Sequence, residues 1–463
     1  MRDWSAGRIA ELAGAQLVHG STSALKDGPR GVSIDSRAVA PGDLFVGLRG
    51  ERTDGGEHAA QALADGAWGV LVTPHHTNTL DSGVVLAHEQ PLEGLQRLAA
   101  AWREELRERG AKVLAITGST GKTSTKDILA ALLAQSLRTS FSSQNMNTEI
   151  GLPLALLAAP ADTQALVLEM AMRGQGQIAE LAAVARPDVG VIVNVGPAHL
   201  GLLGSLEAIA AAKAELIAGL APGATAIVPA DEPLLSPHLR EDLETVTFGA
   251  GGDVSFAAPA VPGEPVRIRD GETELVLEPS FEQAHQLRNL LAAVAAARAI
   301  GVTPRGRLEV EFSAMRGQRT RLAADITLID DSYNANPMST RAALDELARA
   351  AGPRRVAVLG DMLELGEQAP ELHREIGRHA QASGVSLLVA VGPLAREMAD
   401  AFDGESVAVD DAAAAAQLVP TLLGGGETVL VKGSRGIGLD LVSAALRDTF
   451  APLEDAVTIR GRS

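Results

Sequence analysis

The strongest constraint on the fold is a repeated alternation of short apolar runs with segments of helical pattern. Helical patterns at 124–135 and 206–220 separate several of these runs. The apolar runs lie at 112–117, 165–170, 189–195 and 224–228. Short apolar strands separated by helices are typical of a mostly parallel sheet that is covered by helices on both faces. The sequence therefore predicts an α/β protein.

Two further regions divide the chain. A second alternating series begins near residue 325, and it is long enough to form an α/β unit of its own. Between the two series, residues 245–280 form short segments in which polar and apolar residues alternate and which Gly and Pro bound. This pattern predicts antiparallel strands, and a helix follows. The first ninety residues predict short strands and helices with glycine turns. We expect three domains, at 1–90, 91–307 and 308–463.

Composition excludes several classes of function. Lys and Arg number 40 against 58 Asp and Glu, for a formal net charge of −18, which disfavours general binding of nucleic acid or of an anionic membrane. No cysteine occurs, so disulfides, thiolate metal sites and cysteine nucleophiles are absent. The first residues lack the apolar core of a signal peptide, and no apolar run reaches the ~20 residues that cross a bilayer. We expect a cytoplasmic protein.

A glycine loop directly after the first strand of the central series carries the clearest chemistry. It reads Gly118, Ser119, Thr120, Gly121, Lys122, Thr123, Ser124 and opens a helix. Glycines let backbone N–H groups approach phosphate oxygens, the helix N-terminus adds partial positive charge, and Lys122 adds a full charge. The Thr123 hydroxyl can bind Mg²⁺. Because Ile116 stands where the common phosphate loop has its first glycine, this loop is a shorter variant.

Other polar groups follow strands, where open α/β sheets present ligands. Glu169 ends one strand, and His199 lies in a loop after the next. In the last domain, three successive strand ends are followed by clusters of polar residues, at 330–337, 361–366 and 431–436. Taken singly, these features have plainer explanations: the Asn-rich segment 142–151 is typical of a turn, His199 of a hydrogen-bonded loop residue, and Lys213 of a solvated helix residue.

In combination and in chain order, these motifs resemble the Mur ligase family. The resemblance rests on 118–123, 145–151, Glu169, 194–200, Lys213, 285–289 and 330–337, and it covers nearly the whole chain. The segments Asp-Asp-Ser-Tyr-Asn-Ala-Asn-Pro and Asp-Met-Leu-Glu-Leu-Gly are similar to those of the member that adds D-alanyl-D-alanine to UDP-N-acetylmuramoyl-tripeptide. That activity implies ATP-dependent amide ligation through an acyl phosphate, in peptidoglycan precursor synthesis, and hence a part in cell wall formation, cell shape and cell division.

The resemblance also implies a fold and a set of roles. It implies a central domain of the phosphate-loop type and a Rossmann-like C-terminal domain that closes over the site, where Glu364 and the loop 432–435 complete it. Thr123 and Glu169 would hold Mg²⁺, and His199 and a carbamylated Lys213 a second Mg²⁺. The implied nucleotide contacts are the 118–124 loop, Asn289, Arg319, Asp331 and Tyr333. The implied substrate contacts are Ser36, Arg37, Asn145, Asn147, Thr148, Asn334, Asn336, Ser434 and Arg435. We expect a monomer.

Two motifs depart from the family, and the milder change is Gln286 in 285–289, where the family has asparagine. The family's Asp-Gly-His-x-Phe reads Asp54-Gly55-Gly56-Glu57-His58 here, so Gly56 stands at the histidine position. Two alternative functions stay open. A sister muramyl ligase or a folylpolyglutamate synthase would share the ATP chemistry with another amine. A nucleotide-binding regulatory or scaffolding protein would not need Lys122, Glu169, His199 and Lys213 together. The sequence does not distinguish diaminopimelate from lysine as the third residue of the peptide.

Overall fold

The computed structural model describes residues 3–20, 28–50, 53–143, 146–350 and 352–453. Within these residues the strands lie in three sheets, and helices pack on them. The predicted α/β class is confirmed. In the same part of the chain, no helix has both the length and the apolar character that a membrane span requires.

The first sheet has the strand order β1-β5-β4-β3-β2. The pair β1–β5 is antiparallel, and the other pairs are parallel. Helix α3 packs on this sheet and also against the helices of the next one. Its Trp102 meets Trp4, which precedes α1, edge to face at 5.6 Å. The elements are α1 (Ala6–Ala13), β1 (Gln16–His19), β2 (Val32–Ser33), β3 (Leu44–Val46), α2 (Ala59–Ala64), β4 (Gly69–Val72), β5 (Val84–Ala87) and α3 (Pro91–Glu108).

The second sheet has the order β15-β14-β13-β12-β11-β10-β9-β6-β8-β7. The elements are β6 (Lys112–Thr117), α4 (Lys122–Ala134), β7 (Thr139–Phe141), α5 (Gly151–Ala158), β8 (Ala165–Glu169), α6 (Gln177–Ala185), β9 (Val189–Ile192), α7 (Leu200–Leu203), α8 (Leu206–Ala218), β10 (Thr225–Pro229), β11 (Glu244–Phe248), β12 (Val254–Phe256), β13 (Val266–Asp270), β14 (Thr273–Pro279), α9 (Ala284–Ala299) and β15 (Gly306–Leu308). Helices α4 and α9 cover one face, and α3, α5, α6 and α8 cover the other.

The prediction of antiparallel strands over 245–280 is partly correct. Strands β12, β13 and β14 pair antiparallel. Strand β11, however, pairs parallel with β10 and β12, and β14 pairs parallel with β15. The alternating pattern of β13 arises because only one face of the strand is buried, and the sequence reveals that pattern. The direction of a strand depends instead on the connections that pass over the sheet, which the pattern does not reveal.

The third sheet has the order β16-β17-β21-β18-β19-β20, parallel except for β16–β17. Helices α10 to α12 cover one face, and α13 and α14 cover the other. The elements are β16 (Gln318–Arg321), β17 (Thr327–Asp331), α10 (Pro337–Arg349), β18 (Arg354–Gly360), α11 (Ala369–Ala382), β19 (Leu387–Val391), α12 (Arg396–Asp400), β20 (Glu405–Val409), α13 (Ala412–Leu418), β21 (Glu427–Lys432) and α14 (Asp440–Thr449). The polar strand ends of β17, β18 and β21 therefore share one edge of the sheet.

Candidate active site

A cavity of about 1270 Å³ lies between the second and third sheets. Both sheets contribute the carboxyl ends of their strands and the loops that follow them, as expected for ligand sites in open α/β sheets. Its lining includes all of the predicted loop from Ser119 to Ser124, and Asn147, Thr148, Glu169, His199, Asn289, Asp331, Tyr333, Asn334, Asn336, Ser434 and Arg435.

The glycine loop joins β6 to α4 and is braced from the neighbouring strand end. The Oδ1 atom of Asn194 accepts hydrogen bonds from the N–H groups of Ser119 (3.1 Å) and Thr120 (3.0 Å). Its Nδ2 donates to the Thr120 carbonyl at 3.0 Å. Gly121 has φ +81°, and a Cβ there would stand 2.8 Å from Oδ1 of Asn289. The turn therefore requires glycine, both for its backbone angle and for the space beside Asn289.

Lys122 is the cation of this loop. Its Nζ donates to the Gly118 carbonyl at 2.8 Å, so the side chain folds back across the loop. Burial lowers the pKa of Lys122, while the Glu169 carboxylate acts in the opposite direction. A half-buried lysine held next to a helix N-terminus, at the lining of a cavity, is suited to attract and orient an anionic phosphate.

An oxygen-rich cluster lies where β8 ends. Glu169 accepts hydrogen bonds from the Thr123 hydroxyl at 2.8 Å and from Nδ2 of Asn147 at 2.9 Å. Its own N–H donates to Oγ of Ser142 at 3.1 Å, which fixes the end of the strand. A carboxylate beside a hydroxyl and an amide is the donor set that Mg²⁺ prefers, so these residues fit that ion.

The His199 imidazole faces the third sheet, and its Nδ1 donates to the Glu364 carboxylate. Burial lowers the pKa of His199, whereas this hydrogen bond raises it. Because the carboxylate holds the proton on Nδ1, Nε2 keeps a lone pair, as in histidines whose free nitrogen binds a metal.

Lys213 lies on α8, only 1% exposed, and does not line the cavity. Burial, and secondarily the nearby Lys122 ammonium, lowers the pKa of Lys213 well below its ordinary value. Among the described residues no carboxylate forms an ion pair with it. A buried amine without a counter-ion is neutral more readily than a surface lysine, and a neutral amine is the form that reacts with carbon dioxide.

The third sheet completes the cavity from the opposite side. Lys432, at the end of β21, contacts Oδ2 of Asp331 at 2.5 Å and the Asn334 carbonyl at 3.0 Å. The hydroxyl of Ser434 accepts a hydrogen bond from the N–H of Leu363 at 2.9 Å, which joins two of the three polar strand ends. These contacts hold the loops of adjacent strands in one arrangement.

One hydrogen bond joins the third sheet to the glycine loop. Nδ2 of Asn336, the residue that caps α10, lies 3.5 Å from the Ser119 carbonyl. The two residues are 217 positions apart. The phosphate-type loop and the polar edge of the third sheet therefore form a single site.

Comparisons with known proteins agree with this arrangement. Three family models match successive parts of the chain: "Mur ligase family, catalytic domain" over 29–116, "Mur ligase middle domain" over 116–297, and "Mur ligase, glutamate ligase domain" over 315–435. A UDP-N-acetylmuramoyl-tripeptide–D-alanyl-D-alanine ligase from Synechocystis is 38% identical over 424 residues, which cover 90% of this chain and 91% of that protein. The chain belongs to the Mur ligase family.

Two solved structures show the same architecture as this Mur ligase. MurF from Acinetobacter baumannii matches with a TM-score of 0.85 at 29% identity and covers 96% of this chain and 99% of its own. MurF from Thermotoga maritima, solved in complex with ADP, matches with a TM-score of 0.78 at 30% identity, over 91% and 97% of the two chains. The family and the fold that the sequence predicts are thus confirmed.

Some predicted residues of this Mur ligase lie away from the cavity. Gly118, Lys213 and Arg319 do not line it, and neither do Ser36 and Arg37, which belong to the first sheet's loops. The guanidinium of Arg37 hydrogen-bonds Asp35 and lowers the pKa of that carboxyl to about 2. Arg319 pairs with Glu346 at 2.8 Å. Asn145 lies outside the described residues.

Sequence reasoning missed Arg316. Its Nη2 donates to Oγ1 of Thr123 at 3.3 Å, and its guanidinium stacks over the Tyr333 ring at 3.9 Å. Both Thr123 and Tyr333 are residues that the sequence did single out. The only available sign was a positive charge just before β16, in the segment that crosses between the second and third sheets.

Proposed function

We propose that this Mur ligase joins D-alanyl-D-alanine to UDP-N-acetylmuramoyl-tripeptide, with ATP as the energy source. The product is the UDP-muramoyl-pentapeptide precursor of peptidoglycan. The names of the relatives support this substrate pair. The observation that carries the proposal is the hydrogen bond from Asn336 to the Ser119 carbonyl, because it unites a phosphate-type loop and the polar edge of the third sheet around one cavity.

The chemistry explains why cations line this cavity. A carboxylate must attack the γ-phosphate of ATP, and two like charges at ~4 Å repel by about 4 kcal/mol at an effective dielectric of about 20. Left without compensation, this repulsion would slow the reaction by roughly a thousandfold. Lys122, at the N-terminus of α4, offsets part of it, and Arg316 adds a second positive charge close by.

In the proposed reaction, an oxygen of the tripeptide carboxylate bonds to the γ-phosphorus and ADP leaves. The amine of D-alanyl-D-alanine then bonds to the acyl carbon and loses a proton. The bond between that carbon and the phosphate oxygen breaks, and inorganic phosphate leaves with the oxygen and the electron pair. The loop Gly118–Ser124 binds the phosphates of ATP through Lys122 and through the N–H groups that are not bonded to Asn194. We assign Asn289, Asp331 and Tyr333, which line the cavity, to the rest of the nucleotide, and also Arg319, which reaches the cavity only through its partner Glu346. The loop after β18, which carries Glu364, borders the cavity and limits the access of water to the acyl phosphate.

Mg²⁺ would neutralise phosphate charge in this site. Thr123 and Glu169 hold one ion in our proposal, and His199 with a carbamylated Lys213 holds a second. A carbamate is an anionic oxygen ligand, so the modification would convert a lysine that repels metal ions into one that binds them. The low pKa of Lys213 supports this assignment.

The remaining predicted contacts belong to the two acceptor substrates. We assign Asn145, Asn147 and Thr148 to the muramoyl-peptide, and Ser36 and Arg37 to its uridine nucleotide. We assign Asn334, Asn336, Ser434 and Arg435 to the dipeptide or the phosphate. The proposed domains are 1–90, 91–307 and 308–463. We propose that the protein is a monomer and that it works in the cytoplasm.

Phosphate release tests the proposal. With ATP, Mg²⁺ and UDP-N-acetylmuramoyl-tripeptide, we expect steady release only when D-alanyl-D-alanine is also present, together with a product heavier by one dipeptide. L-Glutamate and diaminopimelate serve as competing amines, and preference for either would favour a related ligase. ATP binding without release under any combination would favour the regulatory alternative.

A further inference from the structure

A cluster of two histidines and one aspartate lies outside the cavity, at the carboxyl edge of the first sheet. Asp54 precedes the short 3-10 turn Gly55–His58, which follows β3. His75 and His76 are consecutive in another 3-10 turn, Pro74–Thr79, which follows β4. None of the three lines the cavity between the second and third sheets.

The ligand atoms of this cluster converge on one point. Oδ2 of Asp54 lies 3.2 Å from Nε2 of His76 and 3.8 Å from Nε2 of His75. One ligand atom of each of the three residues lies within 4.8 Å of the other two. Around a tetrahedral ion with bonds of about 2.0–2.1 Å, ligand atoms stand about 3.3 Å apart, so small side-chain rotations would bring all three into a coordination sphere.

The cluster is also oriented by its surroundings. The other carboxylate oxygen of Asp54 accepts the Gly56 N–H at 3.0 Å. Nδ1 of His75 lies 3.0 Å from the hydroxyl of Thr73, which fixes the far nitrogen of the ring. Nε2 of His76 is buried, and although the Asp54 carboxylate lies 3.2 Å away, the nitrogen makes no aligned hydrogen bond with any described residue. A buried imidazole nitrogen without a hydrogen-bond partner is costly in a structural role, but it is the expected state of a metal ligand.

Gly56 leaves the space that the His76 ring occupies. A Cβ at this position would stand 2.1 Å from Cδ2 of His76 and 2.6 Å from its Nε2. Gly56 is also the position at which the sequence departs from the family's histidine. Any side chain at 56 would therefore displace the ring from Asp54.

We propose that Asp54, His75 and His76 bind one divalent transition-metal ion of the zinc class. Two imidazoles and one carboxylate suit Zn²⁺, Co²⁺ or Ni²⁺, and not the oxygen-preferring Mg²⁺. The ion links the turn after β3 to the turn after β4. Three protein ligands leave at least one coordination position for water or for an anionic group.

Calorimetric titration with Zn²⁺ tests the site on the full chain, with saturating Mg²⁺ present to occupy the oxygen-donor sites of the cavity. We expect one high-affinity Zn²⁺ per chain that is weakened by about 100-fold or more in Asp54→Asn and in His76→Gln, because each removes a direct ligand. His75→Gln changes an exposed side chain, and it gives the same loss without risk to the fold. His58→Gln, on the adjacent turn and exposed, is the matched control and keeps the affinity.

A fifth variant tests the role of Gly56. Gly56→Ala keeps all three ligands but moves the His76 ring, so we expect it to weaken Zn²⁺ binding while Mg²⁺-dependent ligation persists. The proposal is overturned if Zn²⁺ binds the variants Asp54→Asn, His75→Gln and His76→Gln as tightly as it binds the unmodified chain. It is also overturned if that chain binds no Zn²⁺ once Mg²⁺ is present.

Discussion

The His199 imidazole donates to the Glu364 carboxylate, although the two residues lie 165 positions apart. Each residue has a left-handed backbone, with φ +61° for His199 and +63° for Glu364. Two residues other than glycine with this backbone conformation, in direct contact at the lining of the cavity, mark backbone strain at the site. The N–H of Gly201 also donates to the Glu364 carbonyl at 2.8 Å, so this contact joins the second sheet's loops to the third sheet's.

Glu364→Gln should slow ligation. The amide no longer supplies the negative charge that holds the proton on Nδ1 of His199, so the ring loses its fixed orientation and some basicity. Losses of this kind cost about 10–100-fold in metal affinity or activity. We expect kcat to fall by that factor and the Mg²⁺ requirement to rise, measured by phosphate release at several Mg²⁺ concentrations. Glu367→Gln, three residues along and exposed, is the control. Equal Mg²⁺ dependence in both variants would refute the role of Glu364.

Lys213→Ala should nearly abolish ligation, and excess bicarbonate should not restore it, because no amine remains to carry the carbamate. Lys213→Arg should fail as well, since a guanidinium stays charged and cannot take up carbon dioxide. With ¹³C-bicarbonate, the unmodified chain should show a carbamate carbon resonance that both variants lack. Lys112→Ala, at an exposed lysine, is the control. Near-normal turnover of Lys213→Ala would show the carbamate assignment to be wrong.

Asn194→Asp should raise the KM for ATP. The carboxylate still accepts hydrogen bonds from the N–H groups of Ser119 and Thr120, but it can no longer donate to the Thr120 carbonyl. It also places a negative charge beside the phosphates. Charge repulsion of one to a few kcal/mol corresponds to roughly 10–100-fold in KM. Asn194→Ala removes the three bonds without adding charge, so its effect should be smaller. An Asp variant with unchanged KM for ATP would show that the loop is not the phosphate site.

How much of the site the sequence could predict depends on how far apart in the chain the residues in contact lie. The loop from Gly118 to Thr123 is local: strand, glycine turn and helix are adjacent in the chain, so the pattern alone specifies it. The pairing of Thr123 with Glu169 needs only neighbouring parallel strands, β6 and β8, and strand-end reasoning locates both. The contact of His199 with Glu364 joins different sheets, and no local pattern specifies how two sheets face each other.

Arg316 and Arg319 show the same limit within a few residues. Both are cations near β16, and charge alone cannot tell them apart. In the structure Arg316 contacts Thr123 and Tyr333, whereas Arg319 pairs with Glu346 on α10. The difference is one of side-chain direction at the start of a strand, which depends on how the connecting segment enters the third sheet. Neither assignment follows from composition or spacing.

The last prediction concerns stability and rests on His373, a fully buried residue of α11. Its Nε2 accepts the N–H of Met362 at 3.0 Å, and its Nδ1 donates to the Ala369 carbonyl at 2.6 Å, so the neutral ring is fully bonded. Burial lowers the pKa of His373 below the ordinary value of 6.5. Protonation of Nε2 would break the bond that supports the loop of Leu363 and Ser434 at the cavity.

Below about pH 6.5 the unfolded chain therefore binds a proton that the folded chain does not, and the free energy of unfolding falls as the pH is lowered. The loss continues until the pH reaches the lower pKa of the folded state. His373→Gln keeps an acceptor for the Met362 N–H but does not titrate, so its stability should vary less between about pH 7 and about pH 5. Calorimetric unfolding across this range, with His58→Gln as the control, measures the difference. Parallel pH profiles for His373→Gln and the unmodified chain would mean that this histidine does not couple folding to protonation.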